Sequence, residues 1–363
     1  MVVDRVRLEQ GGGMLYATGR VRARGREPVQ LRIGVAEGDA GALRSSGSPW
    51  LAATLLPAMM SGNRLTIDAP VSTKLRAGVE RVQDVLIAWW GERYSLQRVS
   101  IEAPTEAIMV GGSARAACFS RGVDSYYTVL AGRNAPRGPG LTHLLYSGTI
   151  DFMDADERRQ RERALAATAG AAEDLGVPLL SVHTNLREFH EGYAGWIHGY
   201  AQALAAVGHA LGGLLAELRI STAYHRSQGL RWASHPALAG PLSSESVTVR
   251  HVGSDARRID KVRAIGTHGS VLRRLRVCIV PDSEQNCGRC EKCLRTMLEL
   301  YAAGALERCP TFPGPLLPDA VSELRLNRPQ AVWYREILEA LGDSPADRAY
   351  ARAVREALTR SLV

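Results

Sequence analysis

The segment Ala114-Arg-Ala-Ala-Cys-Phe-Ser-Arg-Gly-Val-Asp-Ser125 decides the fold of this chain. The apolar run Ala114–Phe119 predicts a buried strand, residues 120–125 predict a turn, and Tyr126–Gly132 predicts the start of a helix. The same alternation continues with predicted strands at Leu141–Tyr146, Val177–Val182, Leu218–Ala223 and Val247–Val252, and helices at Asp156–Leu175 and Trp196–Leu218. Strands that alternate with helices predict an α/β fold with a doubly wound parallel sheet.

The turn at residues 120–125 has the composition of a phosphate-binding loop. Ligands of parallel sheets bind beyond the carboxyl ends of the strands, where this turn is expected to lie. Backbone N–H groups at a helix start favour an anion, and Gly122 would let the backbone approach it closely. Ser120 and Ser125 can donate hydroxyl hydrogen bonds, while Asp124 suits Mg²⁺ or a helix cap.

The hexapeptide Ser120-Arg121-Gly122-Val123-Asp124-Ser125 resembles the PP-loop of the ATP pyrophosphatase (adenine nucleotide alpha-hydrolase-like) superfamily. Its members show Ser-Gly-Gly-x-Asp-Ser after the first strand and cleave ATP to AMP and pyrophosphate while activating a substrate oxygen. The resemblance implies ATP and Mg²⁺ as cofactors and a Rossmann-like sheet. Arg121 stands where the first glycine usually does. It could contact a phosphate bidentately, or it could mark lost catalysis.

A second motif predicts a zinc site. Cys287-Gly-Arg-Cys290-Glu-Lys-Cys293 places three cysteines at three-residue spacing, and Cys278 stands nine residues before the first of them. Four thiolates without an open position are typical of structural Zn²⁺, with an iron–sulfur cluster as the alternative. Of the two remaining cysteines, Cys118 is expected to be a small core residue, and Cys309 has no assigned role.

The cysteine spacing is similar to the zinc site of 7-cyano-7-deazaguanine synthases, which also carry a PP-loop earlier in the same domain. In those enzymes ATP activates a carboxylate, ammonia converts it to an amide, and a second ATP dehydrates the amide to a nitrile. The resemblance covers roughly residues 114–300. It implies a divergent member that acts as an ATP-dependent C–N ligase on a small carboxylate or a deazapurine-like heterocycle.

Residues just before the zinc motif are candidates for catalysis, because the corresponding segment helps form the substrate pocket in the related enzymes. Glu245 could act as general base toward an incoming amine, while Arg258 or Lys261 could neutralise a phosphate. Together with Asp124 and Ser125, Glu245 and Lys261 make up the expected catalytic set. The simpler interpretation of residues 254–261 is a capped helix with solvated basic side chains.

Residues after the second and third strands are candidates for binding. The backbone at Tyr146 and Ser147 could hold adenine, as the corresponding strand end does in the family, and Arg187 could contact an anion. The aromatic side chains expected to belong to the core instead are Trp196, Tyr200 and Trp232.

Composition limits the partners of the chain. Of its 363 residues, 45 are Lys or Arg and 37 are Asp or Glu, which gives a net charge of +8 and favours anionic partners such as nucleotides. Nucleic acid is not favoured, because no basic–aromatic pattern appears. The start at Met1–Arg7 lacks the features of a secretory signal, and the apolar run Ala201–Ala216 is short for a bilayer. We expect a cytoplasmic protein without membrane contact.

Three parts are expected along the chain: an α+β accessory domain at residues 1–108, a PP-loop domain at 109–310 and a helical segment at 311–363. The accessory domain could mediate a homodimer. The favoured function is adenylation of a small carboxylate followed by attack of ammonia or an amine. The alternatives are an RNA-modifying enzyme, such as a tRNA thiolase, and a non-catalytic nucleotide-binding relative.

Overall fold

The computed structural model describes residues 1–107, 111–133, 140–151, 158–278 and 285–361. The expected helix start at Asp156 lies outside this part. The strands are β1 (Val2–Gly11), β2 (Met14–Arg22), β3 (Val29–Ala36), β4 (Arg64–Ile67), β5 (Val71–Ser72), β6 (Ser100–Glu102), β7 (Thr105–Glu106), β8 (Ala114–Cys118), β9 (His143–Tyr146), β10 (Leu179–Ser181), β11 (His183–Thr184), β12 (Leu215–Ser221) and β13 (Thr248–Val252). The helices are α1 (Ser48–Ser61), α2 (Thr73–Tyr94), α3 (Val123–Arg133), α4 (Gly148–Asp151), α5 (Arg158–Leu175), α6 (Leu186–Glu191), α7 (Trp196–Ala210), α8 (Pro236–Ala239), α9 (Arg258–Gly266), α10 (Gly269–Leu272), α11 (Glu291–Ala302), α12 (Pro318–Ser322), α13 (Arg328–Ala340) and α14 (Pro345–Arg360).

The predicted α/β architecture with a parallel sheet is confirmed. Five strands form a sheet in the order β10-β9-β8-β12-β13, and every neighbouring pair is parallel. The first strand of this sheet along the chain is β8, which lies in the middle of the sheet. Strands β9 and β10 follow on one side of β8, and β12 and β13 follow on its other side. The strand order therefore reverses beside β8, which opens a crevice at the carboxyl ends of β8 and β12.

Both faces of the parallel sheet are covered because successive side chains of a strand point to opposite faces. Ala116 belongs to one buried core, which α1, α2 and α7 complete. Ala117 belongs to the second core, to which α3, α5, α9 and the helices after residue 290 contribute. The sheet thus separates two hydrophobic cores.

The first hundred residues share the first of these cores with the parallel sheet. They form a mixed six-stranded sheet in the order β11-β3-β2-β1-β4-β6. Its edge strand β11 comes from the later part of the chain and pairs antiparallel with β3. Helix α1 packs directly on α7. Burial of apolar surface therefore joins the N-terminal region to the parallel sheet.

Two local predictions were wrong. The helix expected at Trp196–Leu218 ends at Ala210, and Leu215–Ser221 forms strand β12, because a continuous apolar run fits a buried helix and a buried strand equally well. Helix α3 begins at Val123 and not at Tyr126, so Asp124 and Ser125 lie in its first turn.

The C-terminal region completes the second core. Tyr334 and Ile337 of α13 are fully buried there, as are Val354 and Ala357 of α14. Among the residues that the structure describes, no helix has both the length and the apolarity needed to cross a bilayer.

Two glycines on α2 test the packing of the N-terminal region. A Cβ at Gly78 would lie 2.1 Å from the carbonyl oxygen of Pro241, whereas a Cβ at Gly91 would meet only Ile87 Cγ2, at 3.4 Å. We expect Gly78→Ala to lower the free energy of unfolding by about 1–3 kcal/mol. Gly91→Ala should raise it by up to about 1 kcal/mol, because alanine favours the helix. Urea unfolding measures both, and equal effects would contradict the close approach of α2 to residues 240–242.

Candidate functional site

A cavity of about 550 Å³ opens at the carboxyl ends of β8, β9 and β12, where the strand order reverses. Its size and place are typical of small-molecule sites in parallel sheets. The polar loop contributes Ser120, Gly122, Val123, Asp124 and Ser125. Basic lining residues are Arg187, Arg258, Arg276, Lys292 and Arg295, and aromatic ones include Tyr146, Trp196, Tyr200, Trp232 and Trp333.

The loop between β8 and α3 leaves backbone donors available. Ser125 Oγ donates to the carbonyl oxygen of Gly122 at 2.9 Å and accepts from the N–H of Ser120 at 3.3 Å. The N–H groups of Gly122, Val123 and Asp124 have no acceptor among the described residues. Unpaired N–H groups at a helix start attract an anion.

Gly122 keeps space free at this loop. A Cβ there would meet only Ser120 Oγ at 3.4 Å and the carbonyl oxygen of Arg276 at 3.8 Å. No protein atom therefore excludes a side chain at this position, although Gly122 lines the cavity. Its lack of a side chain leaves room for a ligand against the backbone.

Arg121 occupies a position that favours glycine. Its φ is 61°, in the left-handed region, which explains why a glycine suits the first position of this motif. The side chain is buried and is not among the residues that line the cavity. Burial and the neighbouring charge of Arg276 lower the pKa of the guanidinium. The structure therefore does not place the Arg121 side chain at the cavity surface, where a phosphate contact was expected.

A buried network of charges ties the loop to α9 and α11. Asp124 Oδ2 lies 2.6 Å from Arg258 Nη1, and Asp124 Oδ1 lies 3.2 Å from Lys261 Nζ. On its other side, Arg258 Nε lies 3.2 Å from Glu299 Oε2. Lys261 is fully buried and also donates to the carbonyl oxygen of Thr222. The expected site residues Asp124, Arg258 and Lys261 are thus brought together.

Within this network the pKa values of the two carboxyl groups, Asp124 and Glu299, are shifted in opposite directions. Burial of Asp124 would raise the pKa of its carboxyl group, but Arg258 and Lys261 outweigh burial and hold the pKa below its ordinary value. Burial dominates at Glu299 and raises the pKa of that carboxyl group, although Arg258 opposes it. Asp124 therefore stays ionised at neutral pH.

Glu245 lies away from the cavity. Its Oε1 accepts from the backbone N–H of Lys74 at 2.8 Å, in the first turn of α2. Its carboxylate thus stabilises the start of α2, where the helix dipole favours a negative charge. The expected role of Glu245 as general base at the loop does not fit this position.

The expected binding residues at the next strand ends do reach the cavity. Tyr146 ends β9 and Ser147 follows it, and both residues line the cavity. Arg187 also lines it and donates to the carbonyl oxygen of Ile150. Trp196, Tyr200 and Trp232, expected in the core, contribute to the cavity wall as well.

Sequence reasoning missed some of the basic residues that line the cavity. The basic lining residues Arg276, Lys292 and Arg295, and the aromatic Trp333, were not among the expected site residues. Lys292 and Arg295 are three residues apart on α11, a spacing that places them on one helix face. That spacing was a usable signal, whereas the approach of α13 with Trp333 depends on tertiary packing.

The four predicted zinc ligands form one cluster. The Sγ atoms of Cys278, Cys287, Cys290 and Cys293 all lie within 4.8 Å of one another. Two Sγ pairs, Cys278–Cys290 and Cys287–Cys293, are 3.9 Å and 3.8 Å apart. A tetrahedron with Zn–S bonds of about 2.3 Å has edges of about 3.8 Å. The cluster therefore fits a metal such as zinc.

The turn and the helix that follow support this cluster. The N–H of Cys290 donates to Cys287 Sγ at 3.3 Å, and Gly288 has a φ of 69°, which favours glycine. Cys290 is also the N-cap of α11. The cysteine cluster thus lies at the start of the helix that carries Lys292 and Arg295.

Cys118 ends β8 beside the loop and lines the cavity, instead of lying wholly in the core. Burial raises the pKa of its thiol to about 12. The thiol is therefore neutral near pH 7 and a weak nucleophile.

Comparison with known proteins found no match for this chain among family models, curated protein sequences or solved structures.

Removal of the Asp124 carboxylate should destabilise the fold. Asp124→Ala leaves Arg258 and the buried Lys261 without their partner, and we expect the free energy of unfolding at pH 7 to fall by about 3 kcal/mol. Asp260→Ala is the matched control, because its pairs with Arg257 and Arg263 are exposed and should contribute less than about 1 kcal/mol.

The difference in the free energy of unfolding between wild type and Asp124→Ala should become smaller as the pH falls. Because the folded-state pKa of Asp124 is lowered, its stabilisation is present above the unfolded-state pKa of about 3.9 and is lost as the pH falls through the folded-state pKa. Urea unfolding of both proteins at several pH values between neutral and acid measures this stabilisation. A difference between wild type and Asp124→Ala that persists unchanged in acid would contradict the ion-pair assignment.

Metal content tests the cysteine cluster. We expect about one zinc per purified chain, and loss of most of it in Cys290→Ser, because one thiolate ligand is removed. Cys309→Ser should retain the metal, since Cys309 Sγ contacts Leu272 and Thr311 and not the cluster. Plasma mass spectrometry measures this. Iron with inorganic sulfide would indicate the iron–sulfur alternative, and equal loss in both variants would contradict the assignment.

Proposed function

We propose that this protein is an ATP-dependent adenylating enzyme with a PP-loop, Rossmann-like fold. It would transfer AMP from ATP to a small carboxylate, release pyrophosphate, and let ammonia or an amine displace the AMP. The observation that carries this proposal is the set of unpaired N–H groups at the start of α3, which borders the cavity where the strand order reverses. Such a helix start is a ready-made site for phosphate.

The charge of the cavity supports a polyphosphate ligand. Among the described lining residues, five are basic and two, Asp124 and Asp151, are acidic, which leaves an excess of three positive charges. Arginine guanidinium groups pair bidentately with phosphate oxygens. In a partly enclosed cavity this excess would stabilise the combined negative charge of ATP and of a carboxylate substrate.

Asp124 fits a role toward Mg²⁺. Mg²⁺ prefers carboxylate oxygens together with phosphate oxygens and water, and Asp124 is an ionised carboxylate in the first turn of α3. Arg258 and Lys261 hold both of its oxygens. Phosphates of an entering nucleotide would compete for Arg258, which lines the cavity, while Asp124 could hold Mg²⁺ beside the phosphates.

The proposed chemistry proceeds in two balanced steps. A carboxylate oxygen of the substrate attacks the α-phosphorus of ATP, the bond to the β-phosphate oxygen breaks, and pyrophosphate leaves with the electron pair. The amine nitrogen then attacks the acyl carbon, the bond to AMP breaks, and the nitrogen loses a proton. Aromatic side chains such as Trp196 and Trp232 supply flat surfaces for heterocycles.

Sulfur transfer to RNA receives no comparable support. A thiolation enzyme would need a reactive thiol at the loop, and Cys118 holds that place with a pKa raised by burial. The absence of a basic–aromatic pattern in the sequence points the same way. Adenylation of a small molecule therefore remains the proposal.

ATP–pyrophosphate exchange with Mg²⁺ tests the function directly. We expect exchange with one of a series of carboxylates that includes 7-carboxy-7-deazaguanine. Gly122→Ala should reduce exchange at least about tenfold, because its Cβ would fill the space beside the backbone donors. Its fold should be kept, since no protein atom blocks that Cβ and the φ of Gly122 is not left-handed.

Gly240→Ala is the matched control, because a Cβ there meets open space and the residue does not line the cavity. Exchange that depends on added tRNA instead of a small acid would favour an RNA substrate. Nucleotide binding without exchange under any of these conditions would favour the non-catalytic relative and overturn the proposal.

A further inference from the structure

Arg295 on α11 is a buried cation, and two of its donor groups have no hydrogen-bond partner among the described residues. Its side chain is only 4% exposed, yet its Nε and Nη1 donate no hydrogen bond to any described residue. Glu291 Oε1 lies 3.3 Å from Nη1 as an ion pair, but without hydrogen-bond geometry. Buried donors that stay unpaired cost free energy, so these N–H groups call for a partner.

The protein nevertheless holds this guanidinium in a fixed place. The Arg295 guanidinium carbon lies 3.8 Å from the ring centroid of Trp333. The ring of Tyr224 stacks on Trp333 with centroids 4.6 Å apart and planes within 4°. Because the Arg295 guanidinium and the Tyr224 ring both lie against the Trp333 ring, they must occupy its two faces. This stack pre-organises Arg295, which lowers the entropy cost of binding.

The surroundings of Arg295 favour a negatively charged partner. Arg295 and Trp333 line the cavity, and so does Lys292, three residues earlier on the same helix, with an exposed side chain. Arg258 lines the cavity as well, although its guanidinium already pairs with Asp124 and Glu299. A planar guanidinium with free donors can hold a carboxylate, since the two oxygens accept in parallel, and the phosphates already have the backbone donors at residues 122–124.

We infer that Arg295, held by Trp333 and assisted by Lys292, forms a second anion subsite that binds the carboxylate of the acceptor substrate. This subsite is distinct from the backbone donors at residues 122–124, which would take the phosphates. The inference rests on the proposed function for the identity of its ligand. Binding of the two anions can be measured separately and without turnover.

Calorimetric titration of the full-length chain tests the inference with two probes, benzoate as a planar carboxylate and inorganic pyrophosphate. Wild type should bind both at once. Lys292→Ala and Arg295→Gln should weaken benzoate binding about tenfold or more and change pyrophosphate binding little, because each removes a charge-assisted contact to the carboxylate. Gly122→Ala should give the reverse pattern.

Matched controls keep the result specific. Lys74→Ala removes the same charge from an exposed site on α2 and should leave benzoate binding unchanged. Because Lys292 is exposed, Lys292→Ala should fold like the wild type. Far-UV circular dichroism checks that Arg295→Gln also keeps its fold. Trp333→Leu should also weaken benzoate binding, because Arg295 loses its support.

The outcomes separate the inference from the proposed function. Absence of benzoate binding, or equal binding by wild type, Lys292→Ala and Arg295→Gln, overturns the subsite. Competition between benzoate and pyrophosphate, with Gly122→Ala weakening both, also overturns it and leaves the nucleotide proposal standing. Benzoate binding with the expected pattern, but no pyrophosphate binding by wild type, supports the subsite and counts against the proposed function.

Discussion

The buried ion pair between Asp124 and Arg258 is the contact on which the candidate site depends. It links the first turn of α3 to the first turn of α9, and Arg258 continues the link through Glu299 to α11. Charges removed from water are tolerated only when each has partners with good geometry. The network therefore fixes three helices that come from distant parts of the sequence. It also sets the distance between the loop at residues 120–125 and the basic residues of α11.

The cysteine cluster acts on the same helix from its other end. Cys290 is the N-cap of α11 and Cys293 lies in its first turn, while Glu299 lies two turns further on. A metal bound by four thiolates would hold the start of α11, and the ion pair with Arg258 holds its later part. Lys292 and Arg295 lie between these two fixed points. A structural metal would thus contribute to binding by holding side chains in place, without contacting a substrate.

The sequence predicted the chemistry of single segments better than their assembly. The order of strands and helices around β8, the turn at residues 120–125 and the clustering of the four cysteines could be predicted, because each depends on local spacing. The end of α7 could not, since the apolar residues that follow Ala210 suit a buried strand as well as a helix. The position of Glu245 was also inaccessible, because its partner at Lys74 is 171 residues away in the chain.

The cavity wall shows the same limit and its physical origin. Trp232 and Trp333 look like core residues in the sequence, since aromatic side chains bury large apolar areas in either place. Only packing of α13 against α9 and α11 brings Trp333 beside Arg295. The ring is itself buried, and it also supports a guanidinium at the cavity. A residue with both roles carries no sequence signal for the second, because the first alone accounts for its type.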